Sequence, residues 1–176
     1  MKKIILSILA VGAFGFANAQ SETVKFGVKA GANITSFTNN VYDEADGKTG
    51  FFVGGLVDLP IAANFHLQPE LLYSNEGAKD ASLDYLRIPV MAKYYVIEGF
   101  SLQAGPQVGF KIGGDEAIDE ISKSIDFGIA AGAGYELPMG LFFDARYNIG
   151  MSNIYDGPGE GDIKNVAIQF GVGYRF

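Results

Sequence analysis

A chain of 176 residues with 13 basic against 20 acidic side chains, net charge -7, is the size of one domain and carries the wrong charge for nucleic acid, where basic groups drive binding by releasing counterions. It has no cysteine, which excludes disulfides, thiolate metal sites and a cysteine nucleophile. Glycine is abundant at 24 residues, aromatics reach 13 %, and no apolar run after residue 19 is long enough for a membrane helix.

Residues 1–19 read as a signal peptide, cleaved after Ala19, with 20–176 forming a single barrel domain. Lys2 and Lys3 supply the basic start, residues 4–16 the apolar stretch, and Ala17-Asn18-Ala19 the small-x-small cleavage site. Without the two leader lysines, 11 basic residues face 20 acidic ones, a net of -9. Eight segments of alternating polarity follow, over 24–37, 49–59, 65–75, 85–97, 100–112, 124–137, 141–152 and 164–176. Side chains on a strand alternate between faces, and about 9–11 residues cross a bilayer at a tilt. Short connections at 60–64, 98–99 and 138–140 alternate with longer ones at 38–48, 76–84, 113–123 and 153–163.

This rhythm predicts an all-β fold, an eight-stranded antiparallel transmembrane β-barrel with short periplasmic turns and longer extracellular loops. One face is apolar throughout, as in Val24, Phe26, Val28, Ala30, Ala32 and Ile34, or Leu86, Ile88, Val90, Ala92, Tyr94 and Val96. Phe65, Tyr94, Phe100, Tyr135, Phe143, Tyr174 and Phe176 gather toward the short turns as one interfacial girdle. The other face carries Lys25, Lys29, Asp58, Glu70, Arg87, Lys93, Lys111, Asp126, Glu136, Asp144, Arg146 and Arg175, interleaved with glycines. Eight strands leave an interior that side chains can fill, and charges enclosed there must pair. The expectation is therefore a lumen closed by an ion-pair network. Pro69, Pro89 and Pro106 fall inside strands, where a residue without an N–H predicts a bulge or a missing bond.

Particular residues resemble the PorT family of Gram-negative outer-membrane β-barrel proteins. They are Leu67-Gln68-Pro69-Glu70-Leu71-Leu72-Tyr73-Ser74, Arg87-Ile88-Pro89-Val90, Lys93-Tyr94-Tyr95, Ala104-Gly105-Pro106-Gln107 and Asp144-Ala145-Arg146-Tyr147-Asn148. The resemblance covers the mature chain and implies an eight-stranded barrel of the outer membrane of a Gram-negative bacterium. The founding member is longer and tied to secretion and gliding machinery, a role not carried over here. Phe176, with Tyr174 and Phe170 on its face, is similar to the C-terminal signal read by the barrel assembly machinery.

Other motifs have plainer readings. His66 is the only histidine, with no serine or cysteine nucleophile placed beside it, so a structural role is expected. The acidic groups Asp43, Glu44, Asp46, Asp115, Glu116, Asp119, Glu120, Asp156, Glu160 and Asp162 do not match a calcium loop and read as solvated loop charge, with divalent bridging to lipopolysaccharide as the alternative. The glycines at 132–134 and 157–161 open no helix, which argues against a phosphate cradle. Asn33-Ile34-Thr35 matches a glycosylation sequon within a strand.

The expected function is non-enzymatic, with no cofactor or metal: a small outer-membrane barrel acting structurally or through its acidic loops. Its expected surroundings are outer-membrane lipid and lipopolysaccharide, with the assembly machinery and periplasmic chaperones during biogenesis, no nucleic acid, and a loop partner that stays open. The alternatives are a narrow channel for ions or small solutes and a soluble lipocalin-like ligand-binding barrel.

Overall fold

The computed structural model describes residues 23–39, 48–78, 81–114, 125–151 and 163–176. They form eight strands, β1 (Lys25–Asn39), β2 (Lys48–Ala62), β3 (Phe65–Ala78), β4 (Ala81–Ile97), β5 (Phe100–Gly114), β6 (Ile125–Glu136), β7 (Leu141–Gly150) and β8 (Ile163–Arg175). Each pairs antiparallel with the next, and β8 returns to β1 over a register from Gly27 opposite Arg175 to Asn39 opposite Ile163. The sheet therefore closes and leaves no edge, the condition under which strands can cross lipid. No helix among the described residues is long and apolar enough to cross a membrane, which says nothing of strands.

Sidedness follows the alternation. Phe26 is 57 % exposed while Lys29, three residues on, is 1 % exposed. The exposed set is apolar and runs round the whole barrel, through Val28, Phe51, Val53, Leu71, Leu102, Phe127, Ile129, Phe143, Ile149 and Phe170. An apolar surface this continuous needs cover, and acyl chains supply it. The lipocalin-like alternative requires the greasy face inside; the barrel is built the other way out, and that reading is overturned. Parts of the expected girdle meet in register, with Phe65 opposite Tyr94, Phe100 opposite Tyr135, and Tyr135 opposite Phe143, while Tyr94 stands opposite Leu102 and Tyr174 opposite Leu141.

Short turns join β2 to β3 at 63–64, β4 to β5 at 98–99, and β6 to β7 at 137–140. Gly99 at φ 79° and Gly140 at φ 90° close two of them in the left-handed region that side chains resist. At the opposite rim one expectation is corrected. The connection predicted over 76–84 shrinks, because β3 and β4 keep pairing to Ala78 opposite Ala81. The inward positions Ser74 and Glu76 continue the alternation, so the strand does not end where the sequence turns polar.

Pro69, Pro89 and Pro106 are accommodated by missing ladder pairs, not bulges. From β2 to β3 the ladder jumps from Leu56–Glu70 to Leu59–Leu67, omitting Pro69. From β3 to β4 it jumps from Pro69–Val90 to Leu72–Arg87, omitting Pro89, and from β4 to β5 it jumps from Pro89–Gln107 to Ala92–Ala104, omitting Pro106. Each proline loses the neighbour its absent N–H would have served and keeps the other. The register is the same on both sides of every gap, so facing is preserved. The register shifts lie elsewhere, at Pro60/Ala62, Asp84/Tyr85 and Tyr95/Ile97.

Glycines on the inner wall make room for long side chains. A Cβ at Gly31 would meet the Phe170 carbonyl oxygen, the Phe52 Cζ at 2.7 Å and the Gly171 Cα at 2.9 Å. Two of those three atoms are backbone and cannot swing aside. Gly31→Ala is expected to cost about 1–3 kcal/mol of stability, the range for overpacking. Gly55→Ala, whose Cβ would come no closer than 3.7 Å to the Gly27 carbonyl, is expected to cost nothing measurable. Urea midpoints of the two variants in the same detergent make the comparison, and equal midpoints would contradict it.

Candidate functional site: the charged lumen

Inward-facing side chains form three layers along the barrel. Near the long-loop rim, Arg87 on β4 donates through Nε and Nη2 to Glu76, at 2.9 and 2.5 Å, and through Nη1 to Asp126 on β6 at 2.6 Å. Its guanidinium also lies 4.6 Å from the centroid of the Tyr85 ring. Glu76 was absent from the expected charged set, having been read as loop. Its parity with Glu70 and Ser74 was the available signal.

The middle layer is the most enclosed. Arg146 on β7 donates Nη1 and Nη2 to the two oxygens of Glu70 on β3, at 2.8 and 2.5 Å, and Nη2 also reaches Gln103 Oε1 at 3.1 Å. Lys29 Nζ on β1 donates to Asp144 Oδ2 at 2.5 Å. The same lysine is 3.8 Å from Glu70, and Arg146 Nη2 is 3.1 Å from Asp144. All four side chains are buried, and the Phe52 ring lies 5.2 Å from the Lys29 ammonium. Removing such charges from water costs several kcal/mol apiece, offset here by bidentate and charge-assisted bonds.

Toward the short-turn rim, Arg175 pairs with Glu136, donates Nη2 to Gln68 Oε1 at 2.8 Å, and holds Nε 3.6 Å from Asp58. Tyr95 donates its hydroxyl to Glu136 at 2.9 Å and accepts from Lys93 at 3.0 Å. His66 Nδ1 lies 3.1 Å from Asp58 Oδ1, and its ring packs edge-on against Tyr95 at 4.8 Å. Below this layer the barrel opens into a vestibule of about 900 Å³, with His66, Tyr95, Glu136 and Arg175 in its floor.

Of the twelve expected lumen charges, ten take these inward places. Lys25 stands apart, its side chain 54 % exposed at the vestibule and 3.9 Å from Glu136. Lys111 is half-buried near the far end of β5. Apolar inward residues were not anticipated: Leu56, Leu72, Met91 and Phe142 share the wall with the charges, and Phe142 lies 4.5 Å beneath the Arg175 guanidinium. The Asn33 sequon is closed to modification, since Asn33 is wholly buried and donates to Ser74 Oγ at 2.9 Å. Phe170, Tyr174 and Phe176 all point outward at the end of β8. The leader, the acidic residues 43, 44, 46, 115, 116, 119, 120, 156, 160 and 162, and the glycines at 157–161 lie outside the described residues.

Two voids of about 10 Å³ each interrupt the packing, room for roughly one water apiece. One lies above the middle layer against Glu76, Arg87, Asp126 and Asn148, the other below it against Lys93, Glu136, Asp144 and Arg175. Among the described residues no group of three or more histidine, aspartate or glutamate side chains is placed to hold a metal.

A closed eight-stranded barrel with an apolar exterior and a paired, charged interior is a protein of the outer-membrane β-barrel class. The chain belongs to the family described as outer membrane protein beta-barrel domain, which matches residues 16–156. Strand β8 lies beyond that match and completes the closure. Among solved structures, Ail, the attachment invasion locus protein of Yersinia pestis, is similar at 15 % identity and a TM-score of 0.57, over 88 % of this chain and 100 % of that one. Neisserial surface protein A is similar at 16 % identity and a TM-score of 0.57, with the same two coverages. At such identities the likeness is one of fold. No curated protein sequence matches the chain.

Proposed function

We propose that this is a small integral protein of the outer membrane of a Gram-negative bacterium, of the PorT type, whose lumen is closed at rest and which acts structurally or through its acidic surface loops. The supporting observation is the middle layer: four buried charges, paired with one another, fill the barrel where a solute would have to pass. In this reading the signal peptide leaves after Ala19, the apolar belt is wetted by lipid and lipopolysaccharide, and the assembly machinery reads Phe170, Tyr174 and Phe176, with periplasmic chaperones carrying the chain there. Binding then resides in the loops, as it commonly does on rigid scaffolds. The reading is non-enzymatic and needs no cofactor.

Detergent-refolded protein is expected to migrate differently on a gel when unboiled, and in planar bilayers to show no sustained open level. A steady stepwise conductance from the wild-type protein would overturn the closed lumen.

A further inference from the structure

The three layers of the lumen differ in charge. In the middle, Lys29 and Arg146 balance Glu70 and Asp144. Toward the short turns, Lys93 and Arg175 stand with Asp58 and Glu136. The layer nearest the long-loop rim is one cation short: Arg87 is paired with both Glu76 and Asp126, one positive charge against two negative. Arg87 gives Nε and Nη2 to Glu76 and Nη1 to Asp126 Oδ2, which leaves Asp126 Oδ1 buried without a donor. Asp126 is 1 % exposed, and Asn148 on β7, 5 % exposed, has neither amide atom bonded. Both side chains line the upper void of about 10 Å³, with Gln107 and Gln169 in the same wall. Lys111, half-buried farther toward the rim, does not line it.

We propose that the upper void is a binding site for one alkali-metal cation, sodium or potassium, held by Asp126 Oδ1 and Asn148 Oδ1 beside the Arg87–Glu76 pair. A water there would bond the unpartnered atoms and leave the surplus charge, and an uncompensated charge out of water is costly. One monovalent cation brings the layer to zero. Carboxylate and side-chain amide oxygens are the donors that hard cations take. A divalent ion fits worse. It would overshoot the charge, and the two carboxylates already share a guanidinium, which leaves too few anionic ligands for it. The room also suits a single ion stripped of its waters, since it holds roughly one water-sized particle.

Urea midpoints in an uncharged detergent test the site, with sodium, potassium and choline chlorides compared at matched ionic strength. A ligand that binds only the folded barrel raises its midpoint. The wild-type value is expected to climb by about 0.5–1.4 M for each tenfold rise in sodium or potassium above the dissociation constant, and to stay level in choline. Asp126→Asn keeps the shape and removes the unmatched charge; Asn148→Ala removes an oxygen ligand. Asp126→Asn is expected to lose the climb, and Asn148→Ala to need at least tenfold more cation for it, with heat-modifiability on a gel establishing that each is folded. A wild-type midpoint equal in all three salts overturns the site and leaves the void to a water or to a proton on Asp126. A folded Asp126→Asn barrel with the wild-type climb also overturns it, because the ion then sits on other carboxylates. Where Asp126→Asn does not fold, the wild-type climb in Asn148→Ala overturns it equally. Bilayer conductance does not enter this result, so the site and the closed lumen stand or fall separately.

Discussion

Replacing Glu70 by leucine is expected to cost about 3–5 kcal/mol, because it strands the Arg146 guanidinium in the barrel wall without its bidentate partner. Glu70 also accepts from Gln68 at 2.5 Å, so a second group loses its bond in the same step. The double variant Glu70→Leu/Arg146→Met is expected to recover most of that loss. It removes both charges, leaves Lys29 on Asp144, and fills the layer with apolar volume beside Leu72 and Phe52. The contrast separates two meanings of a buried ion pair: the pair contributes little over a hydrophobic substitute, while half of a pair is costly. Equilibrium unfolding in urea, followed by tyrosine fluorescence since the chain has no tryptophan, measures all three proteins. A single variant as stable as wild type, or a double no better than the single, would show that the layer is not dry and paired.

Architecture was legible because strand periodicity carries it. A two-residue alternation over more than ten residues fixes which face each side chain takes, so the inward set from Lys29 to Arg175 could be named without coordinates. Partners could not. Nothing in spacing says that Arg146 meets Glu70, 76 positions away, instead of Asp144 two positions away, because that depends on which strands oppose one another after closure. Glu76 was lost for a related reason. Polarity rising through Asn75-Glu76-Gly77 resembles a loop, yet Arg87, six residues into β4, holds Glu76 in the lumen while the ladder runs on past it. The apolar inward residues escaped because attention to charge hides them: a lumen of eight strands needs volume, and Phe52, Leu72 and Met91 supply what glycine neighbours leave open. The prolines were placed correctly, and of the two consequences expected at each, a bulge or a missing bond, the missing bond is the one found, since a gap in an otherwise unbroken register needs no extra residue.

Ala145→Arg is expected to cost about 2–4 kcal/mol in phospholipid vesicles, and Ile97→Arg no more than about 1 kcal/mol. Both positions face outward, but they differ in depth. Ala145 sits halfway along β7, paired with Ala133 and Phe170, while Ile97 ends β4 beside the turn at Gly99. Alanine is small and exposed there, so the substitution creates no cavity and breaks no ion pair; what remains is the transfer of a guanidinium into hydrocarbon. At the rim the same group reaches the headgroups and stays hydrated. A water-facing exterior would predict the opposite pattern, with both surface substitutions near zero. Urea unfolding from vesicles gives the two costs directly, and an Ala145→Arg protein as stable as the Ile97→Arg protein would mean that lipid does not touch this face.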